Sequence, residues 1–202
     1  MPPDALTARR TRRRLARLVC AAVLGLLALA STADALELVS PSGDPRVARY
    51  QGWADAARMP TPTGVVELVL APCPVPISDG CIMHGAPPTI FLGPTVRDRP
   101  ILLHELGHAF DAQRMTPSDR VAFEAIFADG RAWRSPPNSP HERFAEAYSL
   151  CARHPRIRRT YTAGYGYRAT PGQHRRVCAL IERVGSAATS AVADGSVLSG
   201  WE

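Results

Sequence analysis

Residues 98–111 have the sequence DRPILLHELGHAFD, in which a few polar residues stand among apolar ones. Asp98 followed by Pro100 is a typical helix start, and the apolar residues after it predict a largely buried helix. Two histidines, His104 and His108, lie four residues apart in it. Residues four apart on a helix are separated by about 40° around its axis and about 6 Å along it, so both rings can point at one position.

A divalent metal ion suits such a pair, because buried imidazoles are costly unless they are hydrogen-bonded or bound to a metal. Glu105 follows the first histidine directly. Its rotation of about 100° around the helix keeps it off the metal and near the water that the metal would hold. We therefore expect Glu105 to act as a general base. The alternative is that the two buried histidines simply have hydrogen-bond partners.

A catalytic zinc ion usually has three protein ligands, so a third ligand is needed elsewhere in the chain. Residues 139–148, SPHERFAEAY, predict another helix in which Glu142 and Glu146 share one face. Glu142 could be the third ligand, with Glu146 one turn later accepting the free ring N–H of a ligand histidine. The competing interpretation is a capping box, in which the Glu142 carboxylate reaches back to the start of its own helix at Ser139.

The two motifs together, HELGH at residues 104–108 and ERFAEAY 34 residues later, resemble the gluzincin branch of the zincin metallopeptidases, especially its lethal-factor-type catalytic domain. The resemblance covers residues 89–152. It implies that Glu142 is the third zinc ligand, that Glu146 supports a ligand histidine, and that Asp111 is the acid that commonly follows the second histidine. The alternative for Asp111 is an ordinary exposed helix residue.

The resemblance also implies zinc-dependent hydrolysis of peptide bonds in a peptide or protein substrate, with Glu105 passing the proton of water to the leaving amine. Such enzymes add a Tyr or His that stabilises the oxyanion. The candidates here are Tyr161, Tyr165, Tyr167 and His174, and we favour Tyr165 in the loop YTAGYGYR. Two other functions stay open. One is an exported binding or regulatory domain on a zincin scaffold, and the other is hydrolysis of a non-peptide amide in cell-wall material.

The first 35 residues have the pattern of a secretion signal peptide. Residues 9–17 are basic, residues 18–30 are apolar, and small residues allow cleavage after Ala35. An apolar helix of this length rises about 20 Å, which is short of a hydrocarbon core of roughly 30 Å, so no permanent membrane anchor is expected. We therefore expect a protein that is secreted or located in the cell envelope.

Composition and charge restrict the class of the remaining chain. All 24 basic residues are arginine and the formal net charge is +6. Most of the excess charge lies in the signal, which leaves about +2 for the other 167 residues, so no nucleic-acid partner is expected. That length suits one domain. We expect residues 36–184 to form a monomeric α+β zincin-like domain and residues 185–202 to form a flexible tail.

Four cysteines follow the signal, and an even number in an exported chain predicts two disulfides with three possible connectivities. We favour Cys73 with Cys81 and Cys151 with Cys178. A four-cysteine zinc site is disfavoured, because it needs close CxxC pairs.

The remaining pattern predicts a small sheet, an active-site helix and C-terminal helices. Residues 64–71 and 89–92 read as strands between Gly and Pro, and the Pro-rich residues 72–88 read as a disulfide-pinned loop. The second strand is the predicted edge strand, with which an extended peptide could pair.

Overall fold

The computed structural model of the chain describes residues 35–75, 79–93, 98–128 and 130–193, with side chains up to residue 187. The helices are α1 (Val47–Asp55), α2 (Arg99–Arg114), α3 (Pro117–Phe127), α4 (Pro140–Arg153) and α5 (Pro171–Ala193). The strands are β1 (Leu36–Val39), β2 (Gly64–Val69), β3 (Gly80–Met83), β4 (Thr89–Leu92), β5 (Tyr161–Thr162) and β6 (Arg168–Ala169). The architecture is α+β, as the sequence predicts.

The described residues include little of the predicted signal peptide and part of the predicted C-terminal tail. The predicted signal peptide lies outside the described residues, except for Ala35. Helix α5 extends past the boundary that we predicted at residue 184 and ends at Ala193. An added Cβ atom on Gly185 would lie 2.3 Å from Cβ of Pro60, so the helix passes close to this proline. Residues 194–202 of the predicted tail are outside the described ranges. None of the described helices is long and apolar enough to cross a membrane.

Four strands form one mixed sheet in the order β1-β2-β4-β3. The first three run parallel, and β3 runs antiparallel to β4 at one edge. Alternate residues of the central strands, such as Val66 and Ile90, are fully buried. Helix α2 packs against β3, so this edge strand lies beside the histidine helix.

The prediction that residues 89–92 form an edge strand is wrong, because β4 lies between β2 and β3. The edge strand is β3, which lies inside the segment that we predicted to be a loop. Its sequence, GCIM, is too short and too close to prolines to indicate a strand, and it extends because β4 supplies a hydrogen-bonding partner. A Cβ atom on Gly80 would lie 2.9 Å from Cγ2 of Ile101, so any larger residue would have to displace this side chain of α2.

Helices α2 and α4 approach each other at the glycine of the HELGH motif. A Cβ atom on Gly107 would lie 2.9 Å from the Cα atom of Ala145 and 3.1 Å from its carbonyl oxygen. Two small residues therefore let the helix backbones come together. Glu142 and Glu146 flank Ala145 on α4, so this contact sets their distance from the histidines of α2.

Two disulfides join parts of the fold, one beside the sheet and one between α4 and α5. Both predicted pairings are confirmed. Cys73 is joined to Cys81 of β3 with a Cα–Cα distance of 5.8 Å. Cys151 of α4 is joined to Cys178 of α5 with a Cα–Cα distance of 5.5 Å. Two disulfides fit an extracellular location, where thiols are oxidised.

Substitution of Gly107 by alanine should therefore both destabilise the fold and weaken metal binding. The added methyl group overlaps backbone that cannot rotate away, and such overpacking costs about 1–3 kcal/mol. We expect a lower free energy of unfolding in urea and a lower affinity for zinc in a chelator competition, because α4 must move away from α2.

The matched control is Gly52→Ala in α1, where an added Cβ atom would meet no heavy atom within 4 Å. Alanine favours a helix by up to about 1 kcal/mol over glycine, so this variant should be at least as stable as the wild type. A Gly107→Ala protein with unchanged stability and unchanged zinc affinity would show that the close helix contact is not needed.

Candidate metal centre and its cleft

Helix α2 carries three polar side chains into an apolar interior. His104, Glu105 and His108 are only 4–5% exposed, and the three leucines of this helix are fully buried. Buried groups of this kind need partners, since an unpaired polar group in a protein interior is costly. Helix α4 supplies hydrogen-bond partners to the two histidines, and the β5–β6 hairpin supplies a ring contact to His104.

Three side-chain atoms converge on one position. The Oε2 atom of Glu142 lies 3.2 Å from Nε2 of His104 and 3.4 Å from Nε2 of His108. A ligand atom from each of the three residues lies within 4.8 Å of the other two. Two atoms bound at 2.0–2.1 Å to a tetrahedral ion are about 3.3 Å apart, so the two measured distances fit a shared ion. These residues could hold a metal ion.

The capping interpretation of Glu142 does not describe its side chain. The Ser139 hydroxyl accepts a hydrogen bond from the backbone N–H of Glu142 at 3.2 Å, so the helix is capped through the backbone of this residue. Its carboxylate is therefore left to face the histidines. The cap and the predicted ligand use different atoms of one residue.

Glu146 lies on the other side of the first histidine. Its Oε2 atom is 3.3 Å from Nδ1 of His104, in position to accept the ring N–H. A carboxylate there fixes the tautomer in which Nε2 carries the lone pair that a metal ion needs. The sequence left open which histidine Glu146 would contact, and the geometry places it at His104.

The second histidine has a partner that sequence reasoning missed. Nδ1 of His108 lies 3.1 Å from Nε2 of His141, and the two rings are 4.2 Å apart between centroids. His141 Nε2 is in turn 3.4 Å from the Asp111 carboxylate. His141 precedes Glu142 in sequence, but nothing in its residue type or spacing indicates that it contacts α2.

Asp111 is a buried residue, 1% exposed. Among the described residues, no hydrogen bond joins it to His108. Its carboxylate accepts hydrogen bonds from Arg120 Nε at 2.8 Å and from Trp133 Nε1 at 3.1 Å. These two donors anchor the acid that His141 contacts. Asp111 thus reaches His108 by contact through His141 and at longer range through its charge.

Burial and charge shift the pKa values around the centre. Burial raises the pKa of Glu105 to about 7. The charge of His104 opposes this increase, and the charge of Glu142 adds to it. Burial by itself would lower the pKa of His104, but hydrogen bonds to Glu142 and Glu146 raise it to about 9. Although burial disfavours its charged form, Glu142 has a pKa well below the usual range because both histidines hydrogen-bond to it. The carboxylate of Glu142 is therefore ionised and available as a ligand.

Tyr165 is the candidate oxyanion donor that lies at the centre. Its ring packs against the ring of His104 with a centroid distance of 4.6 Å, and it is 45% exposed. Its backbone is left-handed, with φ of 53°, and Gly166 after it has φ of 71°. This turn between β5 and β6 points the tyrosine back over α2.

The other three candidates are placed elsewhere. Tyr167 and His174 are fully buried, and their side chains hydrogen-bond to each other at 2.8 Å. Nε2 of His174 lies 2.7 Å from the carbonyl oxygen of His154, to which it donates. Tyr161 lies exposed on β5 and does not line the cleft. His174 also lies beside Cys151 and Cys178, but those sulfur atoms are bonded to each other and are not free to bind a metal.

The three predicted ligands lie in a cleft of about 600 Å³. The edge strand β3 and the Cys73–Cys81 disulfide form one wall, and Tyr165 lines the cleft as well. A smaller pocket of about 120 Å³ adjoins it at Asp79 and Glu146. The centre is thus accessible to a molecule larger than water.

Metal analysis tests the centre directly. We expect about one zinc ion per chain, and we expect Glu142→Ala to lower zinc affinity by at least a hundredfold, because one of three ligands is removed. Glu146→Ala removes only the support of His104 and should lower it about 10–100-fold. Chelator competition measures both values.

Glu37→Ala is the control, since Glu37 is exposed on β1 away from the centre. It should bind zinc like the wild type. Wild-type affinity in the Glu142→Ala protein would contradict the three-ligand site.

No family model, curated protein or solved structure matches this chain. The resemblance to gluzincins therefore rests on the two sequence motifs.

Proposed function

We propose that the chain is an exported zinc-dependent metallopeptidase of the gluzincin type. The observation that carries the proposal is the convergence of His104, His108 and Glu142 at the base of an open cleft, beside the buried carboxylate of Glu105. A site that only held a metal for stability would be closed by a fourth protein ligand. This one opens to a volume that a peptide segment could enter.

Zinc is the ion that this set of donors favours. Two imidazole nitrogens and one carboxylate oxygen, with a fourth position left open, are typical of catalytic zinc sites. When bound, the ion would polarise the scissile carbonyl group and lower the pKa of a water molecule. The ionised Glu142 and the two histidines, each as the neutral imidazole, would hold it, while Glu146 and His141 orient the two rings. Because the pKa of His104 is raised to about 9 without a metal ion, binding would release a proton from this ring.

Glu105 is the proposed general base. Its carboxylate lines the cleft, and it makes no hydrogen bond to another residue of the described part of the chain. A buried carboxylate without a protein donor is free to accept a proton from water. The same group would then release that proton to the amine of the leaving half of the substrate.

Tyr165 is the proposed donor to the oxyanion. Its ring lies against His104 on the side of the cleft that also contains Glu105. Burial raises the pKa of its hydroxyl group, and the charges of Glu142, Glu105 and Glu146 raise it further. The hydroxyl group therefore keeps its proton at neutral pH and can donate a hydrogen bond to the carbonyl oxygen of the substrate.

Strand β3 provides the wall along which a peptide would bind. It is paired on one side with β4, and its other side faces the cleft. A peptide in extended conformation could add to this edge through backbone hydrogen bonds, which give affinity with little sequence selection. The Cys73–Cys81 disulfide holds the strand in place.

Substitution of Glu105 by glutamine should abolish hydrolysis of an unfolded protein such as casein. Glutamine has nearly the same shape but cannot accept the proton, so we expect kcat to fall by about 10²–10⁴ while zinc stays bound. Casein cleavage and zinc content should be measured on the same zinc-loaded samples.

Glu37→Gln, the same change at an exposed position of β1, should leave cleavage unchanged. Chelator-sensitive cleavage that persists in Glu105→Gln would exclude Glu105 as the base. If zinc-loaded wild-type protein cleaves no unfolded protein, the function is instead that of a binding domain on the same scaffold.

Tyr165→Phe should lower kcat by about 10²–10³ and change KM little, because removing one oxyanion donor affects the transition state more than the bound substrate. Tyr161→Phe is the matched control in the same hairpin, where the side chain is exposed outside the cleft. Steady-state kinetics with a fluorogenic peptide separates the two constants. Equal kcat values for the two variants would remove Tyr165 from the mechanism.

A further inference from the structure

A second cavity opens beside the cleft that holds the metal centre. Its volume is about 690 Å³. Ala86 and Pro88, which precede β4, form one side, and Ala109 and Ala112 of α2 form the other. We call this cavity the apolar trough. Its size and its carbon-rich walls suit an apolar side chain.

Arg134 stands where the apolar trough joins the cleft. Together with His84 it lines both cavities. Its side chain has no hydrogen bond or ion pair with any other residue of the described ranges. Arg131, three residues earlier, differs in this respect, because it donates hydrogen bonds to backbone carbonyl oxygens at 2.9 Å. The guanidinium group of Arg134 is therefore available to a ligand.

The charges around the cleft differ from place to place. Among the described residues that line the apolar trough, none is acidic. Glu105 and Glu142 line the cleft at the metal centre, and Asp79 lines the smaller pocket, which Arg134 does not reach. In the zinc-loaded protein, an anionic group in the cleft is thus attracted to Arg134 and repelled from Asp79.

We propose that Arg134 and the apolar trough form a substrate subsite for a carboxylate group next to an apolar side chain. The inference rests on the proposed function, because it takes the cleft to hold an extended peptide. The guanidinium group offers two parallel N–H donors to the two oxygens of a carboxylate. That carboxylate belongs either to an Asp or Glu side chain or to the C-terminus of the peptide.

The lining of the apolar trough begins next to the metal centre. Ala109 follows His108 directly, and Ala112 lies one turn beyond it, about 6 Å along α2. For a peptide that runs along α2, this distance equals about two residues of an extended chain, at about 3.3 Å per residue.

Binding of labelled peptides to the zinc-loaded Glu105→Gln protein tests the subsite without hydrolysis. One set carries Glu, Gln or Lys two residues to either side of a central apolar pair, and a second set ends at the same position in a free carboxylate or an amide. Fluorescence anisotropy gives each dissociation constant. The two sets distinguish a side-chain carboxylate from a terminal one.

We expect a carboxylate at one of these positions to tighten binding about tenfold over its neutral counterpart. Arg134→Gln in the same background should remove this difference, and Arg134→Glu should reverse it in favour of Lys. Arg175→Gln removes the same charge at an exposed position of α5 and should change nothing. Equal affinity for the acidic and neutral peptides, or a preference that survives Arg134→Gln, would overturn the proposal.

Hydrolysis by the wild-type protein is measured separately with the same peptides. If none is cleaved but the preference for a carboxylate depends on Arg134, the subsite stands and the peptidase proposal fails. If peptides are cleaved without any preference for a carboxylate, the peptidase proposal stands and the subsite proposal fails.

Discussion

The close contact between α2 and α4 is the constraint on which the rest of the site depends. Gly107 lies against Ala145 with room for no side-chain carbon between them. Because of this contact, a carboxylate on one helix comes within 3.2–3.4 Å of two imidazoles on the other. A helix pair with larger residues at the crossing would stand farther apart, since interhelical distance follows the side chains at the contact. The glycine of the HELGH motif is thus needed for packing, while His104 and His108 are the predicted metal ligands.

The centre concentrates ionisable groups in a place where each one needs another. Glu146 supports His104, His141 supports His108, and the buried Asp111 contacts His141 from behind. Hydrogen bonds from Arg120 and Trp133 satisfy Asp111 in turn. Such a network is stable in a low-dielectric interior only when its members are paired, and pairing also fixes the direction of each ring. Glu105 differs because it faces the cleft and has no hydrogen-bond donor among the residues that the structure describes.

The two walls of the cleft are formed by different chemical groups. Strand β3 offers backbone groups, and the disulfide at Cys81 ties it to the loop that follows β2. Across the cleft, Tyr165 is held over His104 by a left-handed turn. The cleft adjoins a pocket that Asp79 lines, and the cleft itself is lined by Arg134, which has no hydrogen-bond partner in the described part of the chain. A peptide bound there would experience a different charge at each end, which orients it before any side-chain pocket selects it.

The sequence by itself determined the histidine helix, the helix that starts at Ser139 and the α+β class. The two helices follow from local spacing, because helical periodicity and capping residues are properties of neighbouring residues. For the four cysteines the sequence left three connectivities open and favoured the one that the structure has. Only the tertiary structure decided that β3 is the edge strand, that His141 contacts His108, that Glu146 contacts His104 and that Tyr165, rather than Tyr167, lies at the cleft. Each of these depends on how two distant elements are placed against each other, and a one-residue change in register or a small change in helix separation would alter every such contact.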